Sequence, residues 1–403
     1  MPKLLQINVC SNILSIGKIS EDIAKVAKRY GWECYISYAR MHRDSISEEY
    51  KIGTLFDVYE HYFEHCFFDR EGFVFDNGRT AVIAIIPSKK LVSYIKKVNP
   101  DVIQLHDIHD HYLNYPILFE FLASTDKPVV WVQHDCWAFT GGCMYYDMLN
   151  CYQWKTGCHS CPQKRALFRN IADKQYLLKK YYFSKVKHLY LVSVSHWMSN
   201  MLSQSFLGSR RIETIHNGID LNIFKPYEES KKKDNIIKLL GVAAVWDARK
   251  GLNDFIELRH RLPENYQIKL VGLSNNQIKN LPDGILGISR TTNMEELAQI
   301  YSESTVLVNP TYSDNFPTTN IEALACGTPI VTYNTGGSPE AIDDKTGIVV
   351  EQGDVSSLIK AIMDISKNPP LQYDCRTRAK NLFDKDQQFK KYINLYNEVL
   401  KQV

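Results

Sequence analysis

Two carboxylates eight residues apart, Asp314 and Glu322, lie in the stretch NPTYSDNFPTTNIEALACGTPIVTYNTGGSPE, from Asn309 to Glu340. An apolar strand, Thr305 to Val308, runs into the loop that carries Asp314. Glu322 falls at the opening of a helix that Cys326-Gly327 stops, and Pro329 to Tyr333 reads as the next buried strand. Gly336-Gly337 then opens a further helix. Strand, loop and helix twice over place two helix N-termini at the carboxyl edge of a parallel sheet, where N–H groups favour anions. Carboxylates for hydroxyls beside an anion cradle predict a ligand that carries both hydroxyls and phosphate, a sugar nucleotide.

Two further groups have the residue types for chemistry. At one strand end LHDIHDHYLN carries His106, Asp107, His109, Asp110 and His111. Imidazole and carboxylate suit Zn, Fe or Mn, so a metal-dependent hydrolase stands beside the plainer reading of a polar loop facing a cleft. At the next strand end VQHDCWAFTGGC places His134 and Asp135, with Trp137 and Phe139 read as packing. Cys143-x7-Cys151-x6-Cys158-x2-Cys161 follows. Four thiols so spaced predict a closed structural zinc knuckle, with plain reduced thiols or a redox pair as the alternatives.

Parallel strands must present these groups. Leu4 to Val9, a helix through Ile23, Val26, Ala27 and Tyr30, and Cys34 to Tyr38 make a βαβ opening. Ala81 to Ile86, Val102 to Leu105, Val129 to Gln133 and Leu189 to Val194 read as further strands of an α/β domain. Only Gly17 stands where a dinucleotide fingerprint needs three glycines, which excludes that class. Residues 40–80 show little periodicity and read as an excursion. The polar run 227–235 is a linker, and IIKLLGVAAVWDARKGLNDFIEL restarts a second domain.

The 403 residues suffice for two domains, and 44% hydrophobic with 23% charged residues is a soluble globular balance. A net charge of +3 does not call for nucleic acid, no apolar run spans a membrane, and MPKLLQINVCSN does not read as a signal peptide. Ten cysteines, several inside apolar strands, fit a reducing cytoplasm. Between Lys155 and Lys187 nine Lys or Arg stand against one acid, with apolar residues interleaved: an anionic membrane surface or plain solvent.

The Asp314–Glu322 spacing, with ACGTPIV and GGSPE after it, resembles the acidic-x7-acidic signature of the retaining glycosyltransferases of family 4, which have the GT-B fold. HDCWAFTGGC to GCHSCP resembles the branch found in colanic acid and capsular polysaccharide clusters, and HNGIDLNIFKP resembles the interdomain signature. The resemblance implies two Rossmann-like domains facing a central cleft. Residues 1–215 would bind the acceptor, with the cysteine-rich insertion at about 136–165. Residues 216–384 would bind the donor, and 385–403 would cross back as a helix.

It also implies roles. Asp314 would contact the donor sugar and Glu322 the ribose. Asn315, Phe316, Pro317, Thr318, Thr319, Gly336 and Gly337 would face sugar and diphosphate. Lys250 would hold the diphosphate. Family 4 usually has an arginine five residues before that lysine; Val245 is there instead, and Arg249 is the substitute, since its guanidinium can grip phosphate bidentately. Gly272 would border the base. His134, with Asp135, would lie near the reacting centre, and Gly17, Lys18 and His109 would face the acceptor. The expected reaction is metal-independent transfer, with retention, from a UDP- or GDP-sugar to a saccharide or lipid-linked acceptor, on the cytoplasmic side of a membrane. The alternatives are a nucleotide-sugar 2-epimerase of the same fold and a non-catalytic sugar-nucleotide-binding partner.

Overall fold

Short apolar runs punctuated by Gly, Pro and polar residues form parallel strands, and burial on both faces makes them near-continuously hydrophobic. Val129–Gln133 (VVWVQ) and Leu189–Ser193 (LYLVS) are buried at every position. The computed structural model describes residues 1–52, 84–109, 112–162, 169–227 and 235–402. The chain divides into two compact units, 1–215 with 389–403, and 216–388.

In the first unit β1 (Lys3–Asn8), β2 (Glu33–Tyr38), β3 (Glu48–Lys51), β4 (Val102–Leu105), β5 (Val129–Gln133), β6 (Leu189–Ser193) and β7 (Arg211–Thr214) form one sheet. Its order is β3-β2-β1-β4-β5-β6-β7, every pair parallel. Leu5, Ile7, Ile103, Leu105, Val129 and Trp131 meet Phe119 and Phe183 in its core. In the second unit β8 (Ile237–Val242), β9 (Tyr266–Val271), β10 (Ile285–Ile288), β11 (Val306–Asn309), β12 (Ile330–Tyr333) and β13 (Gly347–Val350) run parallel in the order β10-β9-β8-β11-β12-β13. Each sheet reverses its direction of growth once, between β1 and β4 and between β8 and β11. In such folds ligands bind outside the carboxyl ends of the strands at this switch point.

The structure corrects three expectations. Where Ala81 to Ile86 is described it is no strand: Ile85 and Ile86 begin the helix Ile85–Val98. Pro87 lies in its first turn, where the missing N–H has no partner to lose. Second, the excursion of residues 40–80 contains a strand, β3, on the edge of the sheet. Third, Gly336-Gly337 opens a single 3-10 turn, Ser338–Ala341, and no α-helix. Asp343 accepts from Thr346 N–H (2.9 Å) and Gly347 N–H (3.1 Å) through its carbonyl, turning the chain into β13 before a second helical turn forms. Residues 53–83 and 228–234, which include most of the excursion and the linker, lie outside the described residues, as do Asp110 and His111.

Within the last helix, Lys385–Val399, the residues from Phe389 onward belong to the first unit. There Tyr396 meets Trp32 edge-on at 5.4 Å and hydrogen-bonds Gln104, and Glu398 takes both Arg211 guanidinium nitrogens at 2.6 and 2.8 Å.

Candidate active site

At the switch point of the second sheet, the loop after β8 meets the loop after β11. Tyr312 N–H donates to the Arg249 carbonyl (2.7 Å) and Thr311 Oγ1 to the same oxygen (3.2 Å). Tyr312 is held from behind by its hydroxyl on Asp254 (3.1 Å), which also accepts from Tyr333 (2.8 Å); burial pushes the Asp254 carboxyl up. So welded, the two loops bring opposite charges together. Lys250 Nζ donates to Asp314 Oδ2 at 2.5 Å, and Arg249 Nη1 donates to the Ser313 carbonyl (2.9 Å) while lying 3.9 Å from the same Asp314 oxygen. Asp314 and Lys250 are each 17% exposed at the side chain, so the pair is half-buried and still reached by solvent.

Gly337 N–H donates to the Asp314 carbonyl (3.1 Å), and Gly336, at φ +54°, comes so close that a Cβ there would sit 1.8 Å from that oxygen. Only glycine fits. Pro317 precedes the helix Thr318–Ala325, whose first turn, Thr318 and Thr319 included, has no side-chain cap. Phe316 turns inward onto His216 (4.7 Å) and Phe383 (5.7 Å), so its backbone alone faces the loop, and Asn315 is buried. One turn into the helix, Glu322 Oε2 accepts from Tyr301 OH (2.8 Å); burial, then this carboxylate, holds the Tyr301 phenol well above its usual range. Gly272 follows β9 with its Cα packed on the Ala243 carbonyl, where a Cβ would lie at 1.6 Å.

Sequence reasoning missed Thr335 and Ser338. Their hydroxyls bracket Gly336-Gly337 and are buried with no hydrogen-bond partner. An unpaired buried hydroxyl is costly, and both stand directly beside the paired glycines. The signal was available: two hydroxyl residues flanking the glycines of TGGS, one on each side of the expected cradle.

At the ends of β4 and β5 in the first unit a second group converges. His106 Nδ1 meets His134 Nε2 at 3.1 Å, and His106 Nε2 meets Gln6 Oε1 at 2.9 Å. Burial lowers the His134 imidazole to about 4, against a smaller opposing effect of Asp135, and holds His106 well below its usual range as well. His134 is therefore a neutral dipole at pH 7. His109 Nε2 lies 2.7 Å from Asp135 Oδ2 and 3.8 Å from Asp107 Oδ2, and Asp135 Oδ1 accepts Trp137 N–H at 2.8 Å. These residues line one pocket with Trp131 and Ala138. Asp107, His109 and Asp135 offer atoms within 4.8 Å of one another, so they have the spacing to hold a metal ion. Gly17 is a packing residue on the helix Leu14–Arg29: a Cβ would press on Cys10 Sγ at 3.0 Å, and its carbonyl accepts from Ser20 Oγ. Lys18, next on that helix, is partly exposed. The four cysteines of the insertion lie between β5 and the helix Arg169–Lys185.

Residues 31–223 match the family model described as Glycosyltransferase Family 4, and residues 224–382 the one described as Glycosyl transferases group 1. The chain is 23% identical over 328 residues to the putative colanic acid biosynthesis glycosyl transferase WcaC of Escherichia coli K12, covering 75% of this chain and 78% of that one. Several other curated relatives align over 35% to 42% of their own length. Among solved structures it resembles a sucrose-phosphate synthase of Thermosynechococcus elongatus (TM-score 0.74, 17% identity, 100% of both chains). It also resembles Anabaena HepE in complex with UDP (TM-score 0.67, 14% identity, 99% of this chain and 100% of that one).

Proposed function

Because the chain belongs to glycosyltransferase family 4 and has the GT-B fold, we propose that it transfers a sugar, with retention, from a nucleotide-sugar donor to a saccharide acceptor. The observation that carries this reading is the Lys250–Asp314 pair at the switch point, 2.5 Å apart and still partly exposed. A nucleotide sugar can exchange that internal pair for two contacts of its own, diphosphate on Lys250 and Arg249, and a sugar hydroxyl on Asp314. The uncapped start of Thr318–Ala325 adds N–H donors, and Thr335 and Ser338 add hydroxyls, so charge on the departing diphosphate meets fixed dipoles without a metal. Glu322, held by the Tyr301 hydroxyl, would take the ribose diol.

The acceptor end is assigned to the His109–Asp135 pocket, where His134 serves as a neutral hydrogen-bonding group. WcaC, named for colanic acid biosynthesis, supports a surface polysaccharide as the product class. The complex of HepE with UDP supports a uridine nucleotide as donor. Among the described residues no helix is long and apolar enough to cross a membrane, and a lipid-linked acceptor would be met at its surface.

A thermal-shift series with nucleoside diphosphates tests the donor site. One of them should stabilise the protein selectively, and Glu322→Ala should abolish the shift; a shift unchanged in that variant would remove the ribose assignment. Product analysis then separates transfer from 2-epimerisation, since only transfer consumes an acceptor.

A further inference from the structure

The insertion between β5 and the helix Arg169–Lys185 packs Phe139, Tyr146 and Trp154 into the core of the first unit but has little regular secondary structure. Its regular structure among the described residues is three single 3-10 turns, Trp137–Phe139, Asp147–Leu149 and Gln153–Lys155. Phe139, Tyr146 and Trp154 form a small aromatic cluster at 4.9 to 6.5 Å. The other feature common to the segment is sulfur. Cys158 and Cys161 are buried, at 8% and 5% exposure, and Cys143 and Cys151 are partly exposed. Cys143 lies close enough to Cys161, Cys158 and Cys151 for each to act on its thiol. Residues spread over nineteen positions of chain thus come near one another without yet forming a closed site.

We propose that Cys143, Cys151, Cys158 and Cys161 bind one Zn²⁺ as a structural clip for this insertion. Several observations in its surroundings fit thiolate ligands. Gly141 N–H donates to Cys158 Sγ at 3.1 Å, and the approach needs a glycine: a Cβ would fall 2.8 Å from Cys158 Cβ and 2.4 Å from the Ala172 carbonyl. Ser160, between the last two cysteines, and Asn150, just before Cys151, are held at φ +46° and +48°. A serine persists there only when its surroundings over-determine it, whereas asparagine adopts the region readily. A four-thiolate zinc centre carries two net negative charges, and the buried Lys179 ammonium, 1% exposed and acting on Cys158, supplies positive charge beside it. Lys179 also donates to the Trp137 (2.8 Å) and Thr140 (3.3 Å) carbonyls, tying the same loop to the helix.

Thiolates select zinc over magnesium, calcium or manganese. Among the described residues no three of the sulfurs lie within 4.8 Å of one another, so loading draws the partly exposed Cys143 and Cys151 onto the buried pair. Each thiol that ligates releases its proton to solvent. The Asp107–His109–Asp135 group is a competing metal site, but its atoms already bond one another and the Trp137 N–H.

The test measures metal directly. The full chain, purified with reductant and without chelator, should carry about one zinc by elemental analysis. Cys158→Ser/Cys161→Ser should lose it, and His109→Ala/Asp135→Ala should keep it. Because the cysteine variant has a route to misfolding, the wild-type protein stripped of metal is also loaded with Co²⁺. The expected spectrum has intense tetrahedral d–d bands and thiolate-to-cobalt charge transfer. A wild-type chain with no zinc and no uptake of Co²⁺ overturns the proposal. So does zinc that survives loss of the cysteines, or that leaves with the His109 and Asp135 side chains, or a cobalt spectrum without thiolate charge transfer.

Discussion

Alanine at Gly336 separates two penalties that a nearby glycine lets us measure independently. Gly336 and Gly353 both sit in the left-handed region, at φ +54° and +77°. An alanine in that region costs about 1–2 kcal/mol wherever it is placed. At Gly353 that is the whole cost, since the nearest atoms to a new Cβ belong to Tyr312, at 3.7 Å. At Gly336 the Cβ falls 1.8 Å from the Asp314 carbonyl oxygen. That oxygen is backbone, and it also accepts Gly337 N–H at 3.1 Å, so it cannot swing away like a side-chain tip. Relieving the overlap shifts the loop at a further cost of about 1–3 kcal/mol. With each kcal/mol worth roughly 2–4 °C in a domain of this size, a difference of about 2 kcal/mol is roughly 4–8 °C. Scanning calorimetry on the full chain should therefore show Gly336→Ala melting lower than Gly353→Ala by that amount. The loop shift also displaces Asp314 from Lys250, so Gly336→Ala alone should weaken nucleoside diphosphate binding. Equal melting temperatures and equal affinities in the two variants would refute the close approach, and with it the placement of the Gly-Gly loop against Asp314.

Lys250→Ala should lower kcat/KM for transfer by about 10²–10³-fold, the scale of removing one charge-stabilising donor, and near-normal turnover would remove lysine from the phosphate site. The pH dependence follows from His134. Its unfolded imidazole takes a proton near 6.5, whereas the folded one takes it only near 4. The folded pKa is depressed, so the stability it contributes is present above pH 6.5 and is lost as the pH falls from 6.5 towards 4. With its partial exposure discounted the effect is about 2 kcal/mol. Denaturant midpoints of wild type should drop across that window, those of His134→Gln should drop less, and parallel curves would contradict the assignment. The helix Arg169–Lys185 exposes Leu177 (55%) and Tyr181 (58%) beside Lys174, Lys180 and Lys185. The protein should sediment with phosphatidylglycerol vesicles, less so in high salt and in Lys180→Glu/Lys185→Glu; equal binding to neutral vesicles would exclude an electrostatic membrane contact.

What is legible in the chain is whatever burial writes into local pattern. Val102–Leu105 and Val129–Gln133 can be read to the residue because a strand buried on both faces is nearly all apolar, Gln104 and Gln133 being the polar exceptions. β3 (EEYK) escapes because an edge strand, half exposed, carries no such signature. The 3-10 turn after Gly336-Gly337 reads as a helix because SPEA starts like one; what ends it is a turn around Asp343. Lysine richness between 155 and 187 reads as a solvated or membrane-facing face, yet Lys179 is buried against Trp137, its ammonium 3.5 Å from the ring centre. A charge count does not record which lysine turns inward.

The site divides along the same line. Asp314, Glu322 and the paired glycines are visible because they share one strand–loop–helix segment. The pairing of Lys250 with Asp314 spans 64 residues and has no local signal at all. It is a product of strand order. Once β8 and β11 are neighbours at the point where the sheet reverses, the loops that follow them must run side by side, and charges on those loops must meet. Loop sequence chooses which residues occupy that place, and sheet topology decides that there is a place to occupy. The same reasoning applied to β1 and β4 brings His106 to Gln6 at the reversal of the first sheet, with His134 joining from β5 one strand further on. The polar groups of each unit therefore gather where its sheet changes direction, and a substitution that moved that reversal would scatter them even with every side chain retained.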